Sequence, residues 1–127
     1  MLLRVRAGEL EGGHQWVYAW LARDGVVYVG ATALHPETRT WLHLHHEDPE
    51  IGRMRARFAE LAAEELDIVA VELPEGVDRQ QVRHGAVTAL SEHGLLSDRH
   101  VCDPPLPAAP TPQTDEFVAA VEQRVRT

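Results

Sequence analysis

Four of the eight histidines lie close together, at His35, His43, His45 and His46. Imidazole is a common metal ligand, so the cluster raises a metal reading. It lacks the HExxH pattern and any paired spacing that would fix a coordination shell. Arg39 sits within the same stretch. All 12 cationic residues are arginine, so any phosphate contact is made by planar guanidinium forks and not by ammonium point charges. Arg53, Arg55 and Arg57 form the densest basic stripe. Their alternating spacing spreads them around a helix, which predicts a solvated face. The single cysteine, Cys102, forms neither an intrachain disulfide nor a CxxC site. Apart from His100 nothing beside it favours the thiolate, so it reads as a buried or half-buried thiol.

These residues need elements to position them. Residues 2–6 alternate weakly and predict a short first strand, broken by Glu11-Gly12-Gly13. Residues 15–22, rich in β-branched and aromatic types, predict a strand. Asp24-Gly25 is a hairpin signal, and 26–30 form the return strand. The two tyrosines, Tyr18 and Tyr28, therefore lie on opposite arms of one hairpin, where cross-strand packing alone accounts for such residues. Pro36 suits the first turn of a helix, predicted over 36–46. At 100° per residue, Trp41, Leu42, Leu44 and His45 share one side, and Arg39, His43 and His46 share the other. The pattern puts His45 on the apolar side as a core histidine and leaves His43 and His46 open to solvent.

A second helix is predicted over 50–66, with Ile51, Met54, Phe58, Leu61, Ala62 and Leu66 in helical period. Residues 67–73 predict a strand. A third helix is predicted over 78–93, burying Val82, Ala86, Ala89 and Leu90 and stopping at Gly94. Five prolines between 103 and 112 predict an extended arm. Thr114 then caps a short last helix with Asp115 and Glu116 in its first turn. Its stripe of Phe117, Val121 and Val125 docks on the domain or pairs with another subunit. The resulting class is α/β (α+β): a small three-stranded mixed sheet with a β-hairpin, three flanking helices, a proline-rich arm and a short C-terminal helix. The divisions are 1–102, 103–113 and 114–127.

Length and charge narrow the function. The 127 residues allow one domain. No apolar run reaches the ~20 residues that span a bilayer, so no membrane partner is expected. The opening residues are charged too early for a secretory signal, which predicts a cytoplasmic protein. The formal net charge of −8 argues against broad electrostatic gripping of nucleic acid, although a local patch can oppose the total.

Hairpin, two helices, strand and helix, with a tyrosine on each hairpin arm, resemble the GIY-YIG nuclease family. The resemblance covers roughly residues 15–98. The first motif is degenerate, Trp16-Val17-Tyr18 without its leading glycine. The second is well kept as Tyr28-Val29-Gly30, followed by Ala31-Thr32 and Leu34. Arg39 stands at the place of the family's catalytic arginine and His43 lies one helical turn on.

By this resemblance, Tyr18 or Tyr28 orients or deprotonates the attacking water. Arg39 holds the scissile phosphate, and His43 assists proton transfer or binds phosphate. Gly30 and Asp98 are implied on the substrate side, Asp98 standing where an asparagine often closes the family's domain. A glutamate on the third helix is expected to hold one divalent metal, but its position falls on His84 or Gly85. Imidazole is a poor magnesium ligand and a fair one for transition metals. The implied cofactor is thus magnesium, manganese or a transition metal, with His84, Asp98, Glu72 or Glu92 as donors.

Two functions follow from the resemblance. One is a degenerate or weakly active member that binds a phosphate-bearing ligand or nucleic acid. The other is a metal-dependent endonuclease cleaving DNA or RNA with a non-standard ligand. Either is compatible with a protein partner or a dimer formed through the C-terminal helix.

Overall fold

A computed structural model describes residues 4–7, 9–11, 14–57 and 63–127. Strand β1 (Arg4–Arg6) pairs antiparallel with β2 (Glu9–Glu11) as a separate ribbon. The main sheet contains β3 (Gln15–Ala22), β4 (Gly25–Thr32) and β5 (Asp67–Leu73) in the order β4-β3-β5. The class is the expected α+β, but every ladder in this sheet is antiparallel. The one parallel pairing among the described residues is an isolated bridge between Val26 and Leu96 at its edge.

The hairpin turns where Asp24-Gly25 predicted. Gly25 has φ +128°, and an added Cβ would lie 2.7 Å from the Leu95 carbonyl oxygen. A side chain there would face both backbone strain and a clash. A register shift between Trp20 and Leu21 leaves Val27 as an extra residue, as in a β-bulge. Val27 and Tyr28 consequently join the same packed cluster, while Val26 and Val29 join the other.

Each face of the sheet is covered differently. Val17, Ala19 and Leu21 of β3 pack with Val69, Val71 and Leu73 of β5, beneath helix α3 (Arg79–Glu92) and helix α4 (Pro112–Arg126). Asp78 caps α3 by accepting from the backbone N–H groups of Gln80 and Gln81. The other face carries Tyr18, Trp20 and Tyr28. These pack with Met54 of α2 (Arg53–Arg57), Leu44 of α1 (Pro36–His45), Ile68 and Ala70.

Several expectations are corrected. Helix α1 is turned from the expected orientation: His43 is fully buried, Arg39, Leu42, Leu44 and His46 are half-buried, and Trp41 is 59% exposed. The side holding the polar side chains faces the sheet because the aromatic face of the hairpin offers His43 a hydrogen-bond partner and three rings. His45, expected in the core, is exposed and stacks on Trp41. Of the described residues in the predicted second helix, Arg53–Arg57 are helical and 50–52 and 63–66 are not; Ile51 lies in a turn, Leu66 lies outside any helix, and Phe58, Leu61 and Ala62 fall outside the described residues. The last helix starts three residues earlier than predicted. Thr111 is its N-cap, in a reciprocal capping box with Thr114, and Pro112 takes the first turn. Phe117 and Val121 are fully buried in the main core, whereas Val125 is 46% exposed.

Candidate functional site

Cross-strand pairing builds the centre of the site. Tyr18 is directly opposite Gly30. A Cβ on Gly30 would lie 2.3 Å from the Tyr18 hydroxyl, so the glycine makes room for the phenol to lie across β4. Gly30 was expected on the substrate side; it supports the Tyr18 ring. Trp20 stands opposite Tyr28 two pairs further along, on the same face. Three rings thus face α1, and His43 inserts among them. Its ring centroid lies 5.8 Å from Tyr18, 5.5 Å from Trp20 and 5.0 Å from Tyr28, each in edge-on geometry.

One buried hydrogen bond joins the cluster: the Tyr18 hydroxyl and His43 Nε2 are 2.7 Å apart. Burial first, and the neighbouring Tyr28 second, hold the Tyr18 phenol well above the ordinary tyrosine range, against a downward pull from Arg39. Burial, with Arg39 and Arg53 adding to it, pulls His43 down to about 3. Both groups are therefore neutral near pH 7, and the Tyr18 O–H can donate to Nε2. His43 Nδ1 and Trp20 Nε1 are buried without a hydrogen-bond partner among the described residues. Such atoms are rare in folded proteins and mark places where water or a ligand group is accommodated.

Two guanidinium groups edge this neutral cluster. Arg39 acts on both Tyr18 and His43, and its Nη1 donates to the Ile51 carbonyl at 3.1 Å. Arg53 Nη1 donates to the Tyr28 hydroxyl at 3.2 Å and lies 3.8 Å from Asp103 Oδ2. Gly52 fits under the chain where a Cβ would meet the His46 carbonyl, which lets the start of α2 approach α1 and brings Arg53 to Tyr28. The cations remain half-exposed while the phenols and imidazole are buried. Each guanidinium group keeps part of its surface in solvent, where an anion can meet it.

Tyr18, Tyr28, Arg39 and His43 thus meet at one place. The other predicted residues do not join them. His84 is on α3, beneath the opposite face; its Nδ1 accepts from the Leu106 backbone N–H at 3.0 Å and its Nε2 lies 3.3 Å from Arg83 Nη2. Burial and then Arg83 lower its pKa, consistent with a neutral acceptor tying the proline-rich arm to α3. Gly85, the alternative family position, packs against Thr114, whose Oγ1 would be 3.3 Å from an added Cβ.

Asp98 is exposed in the turn between Ser97 and Arg99. Those neighbours bond Asp24 in the hairpin turn, away from the Tyr18–Gly30 pair. Glu72 pairs with His14, and Glu92 is exposed at the end of α3. No group of three or more His, Cys, Asp or Glu side chains able to hold a metal ion occurs among the described residues. The cluster's own donors are two phenols and one imidazole, a set short of the oxygen ligands that magnesium takes, and no step is assigned to a divalent ion. Cys102 is half-buried as expected, and burial pushes its thiol up to about 11.

Sequence reasoning missed three contributors. Arg53 was read as solvated because helical spacing alone does not show which of three arginines meets the hairpin. Trp20 carried no signal beyond strand propensity. Asp103 was hidden in the proline-rich arm. A cleft of about 1020 Å³ lies elsewhere, at the hairpin-turn end, lined by Asp24, Glu64, Asp67, Arg99 and Arg124 among others. Two of its three arginines are already engaged, Arg99 with Asp24 and Glu64, and Arg124 with Asp67.

The fold and site together define a small α+β domain with an arginine-edged aromatic–histidine cluster on one sheet face. Comparison with protein-family models, with characterised proteins and with solved structures finds no match for this chain. Among the described residues no helix is long and apolar enough to cross a membrane.

Proposed function

We propose that this chain is a divergent GIY-YIG-like domain that binds a phosphate-bearing ligand or the end of a nucleic acid, in a cytoplasmic setting. The observation that carries this reading is the convergence of Arg39 and Arg53 on the Tyr18–His43–Tyr28 cluster, with Arg53 Nη1 3.2 Å from the Tyr28 hydroxyl. One guanidinium group bonded to a phenol oxygen, with a second beside the same cluster, suits the charge of phosphate oxygens. A local cationic site of this kind can work within a chain of net charge −8. Binding without cleavage is favoured over the endonuclease reading because the carboxylate the family would supply from α3 is replaced by His84, which faces the arm.

The test is anisotropy titration with a 5′-phosphorylated single-stranded oligonucleotide, as DNA and as RNA. Cleavage is followed in parallel with magnesium, manganese, nickel or zinc. The expected result is saturable binding that is lost in Arg39→Ala and Arg53→Ala, without turnover. No binding of either probe, or binding unaffected by both variants, overturns the proposal. Metal-dependent cleavage abolished by Arg39→Ala replaces it with the endonuclease reading.

A further inference from the structure

We infer that Asp103 is a built-in competitor anion, carried by the proline-rich arm and held against Arg53 until a phosphate-bearing ligand displaces it. This inference rests on the phosphate-binding reading above and adds how access to that site is controlled.

The chain delivers Asp103 by a defined route. After α3, Leu95 accepts from the Val26 N–H at 2.9 Å, the Ser97 N–H donates to Val26 at 2.9 Å, and the Val101 N–H donates to Val27 at 2.8 Å. The segment thereby runs alongside β4 toward Tyr28, the Cys102 sulfur meets the Val29 backbone, and the Asp103 carboxylate that follows lies 3.8 Å from Arg53 Nη1. The same Nη1 donates to the Tyr28 hydroxyl. Among the described residues, Asp103 supplies the carboxylate that contacts the cluster, where an incoming phosphate would meet its cation.

The contact is suited to exchange. Its side chains are 29% and 50% exposed, and an exposed ion pair of this length holds by a factor of about two to five. Pro104 and Pro105 follow directly and have no N–H with which to bond the fold. A further backbone tether is the Leu106 N–H on His84. Pro-rich chain is semi-rigid, so movement of Asp103 is passed to its neighbours, including Cys102. That thiol is half-buried and its pKa is raised by burial, so it reports displacement of the arm.

The experiment compares wild type, Asp103→Asn and the charge-matched control Glu116→Gln, whose site is exposed on α4. The probe is a 5′-phosphorylated single-stranded oligodeoxynucleotide, read by anisotropy, with the folded state of each variant checked by its Tm. Asp103→Asn is expected to bind about two- to fivefold tighter than wild type and Glu116→Gln equally to wild type. Saturating probe is expected to speed thiol-reagent labelling of Cys102 in wild type. Detectable binding by Asp103→Asn alone would support the inference in its strongest form. Equal or weaker binding by Asp103→Asn, with wild type still binding, overturns the inference and leaves the phosphate-binding reading intact; weaker binding would make Asp103 a ligand-contacting residue. No binding by any of the three proteins overturns both.

Discussion

The two faces of one three-stranded sheet are built on different principles. Beneath α3 and α4, Val17, Ala19, Leu21, Val29, Val82, Leu90, Phe117 and Val121 form an apolar core, with the buried Thr114 at its edge against Gly85. Beneath α1 and α2, the buried set includes two phenols, an indole and an imidazole. The apolar face gains from area removed from water, a non-directional term. The aromatic face buries polar atoms, which cost free energy unless paired, and it pairs one of them through Tyr18 and His43. The second face instead gathers buried polar groups and two half-exposed cations in one place. The C-terminal helix, which follows the proline-rich arm, belongs to the apolar face.

The comparison is broken most directly by Phe117→Ala. The side chain is fully buried in the apolar core, and such truncations cost about 3–5 kcal/mol. Urea unfolding should show that loss, while binding measured below the unfolding transition remains near wild type. Loss of binding with little loss of stability would mean that the faces are not separable.

The pH dependence of stability comes next. His43 is held down to about 3 in the fold, against an ordinary value near 6.5. The unfolded chain therefore takes up this proton first. The contribution of His43 is complete above about 6.5 and is lost as the pH falls from there toward 3, at ~1.4 kcal/mol per pH unit. About 2 kcal/mol is lost by pH 5, a range in which carboxylates have scarcely begun to titrate. His43→Gln should be less stable at pH 7.5 but flatter between pH 7.5 and 5. An equal slope in the variant would assign the effect to other groups.

Tyr18→Phe keeps the ring and removes the hydroxyl. Nε2 of His43 then loses its partner while Nδ1 already has none among the described residues, a change expected to cost about 1–3 kcal/mol. The apolar face should be untouched, so the unfolding m-value should not change. The smallest effect is expected at Val125, the exposed end of the α4 stripe. Val125→Ser should alter stability by less than about 0.5 kcal/mol and leave the sedimentation coefficient unchanged. A shift in the coefficient would make this end of α4 a subunit contact.

Much of the fold was determined by local sequence. The Asp24-Gly25 turn, the β-branched and aromatic content of β3, the 67–73 strand and the Pro36 helix start act over a few residues, and each lies where the pattern predicted. The four candidates Tyr18, Tyr28, Arg39 and His43 were nameable only through a resemblance to a family motif. The sequence could not decide which side of α1 turns inward. Periodicity scores apolar area, and by area Trp41 and Leu44 outweigh His43. Tertiary structure reversed that choice because His43 finds a hydrogen bond to Tyr18 and edge-on contacts with three rings. The same non-local physics selected Arg53 from a stripe of three arginines and brought Asp103 from the arm to meet it. It also turned His84 toward Leu106. Spacing along the chain thus specified the elements, and the family motif four of the site's residues. The protonation states, the second guanidinium and the carboxylate facing it were set by groups distant in sequence that meet on one sheet face.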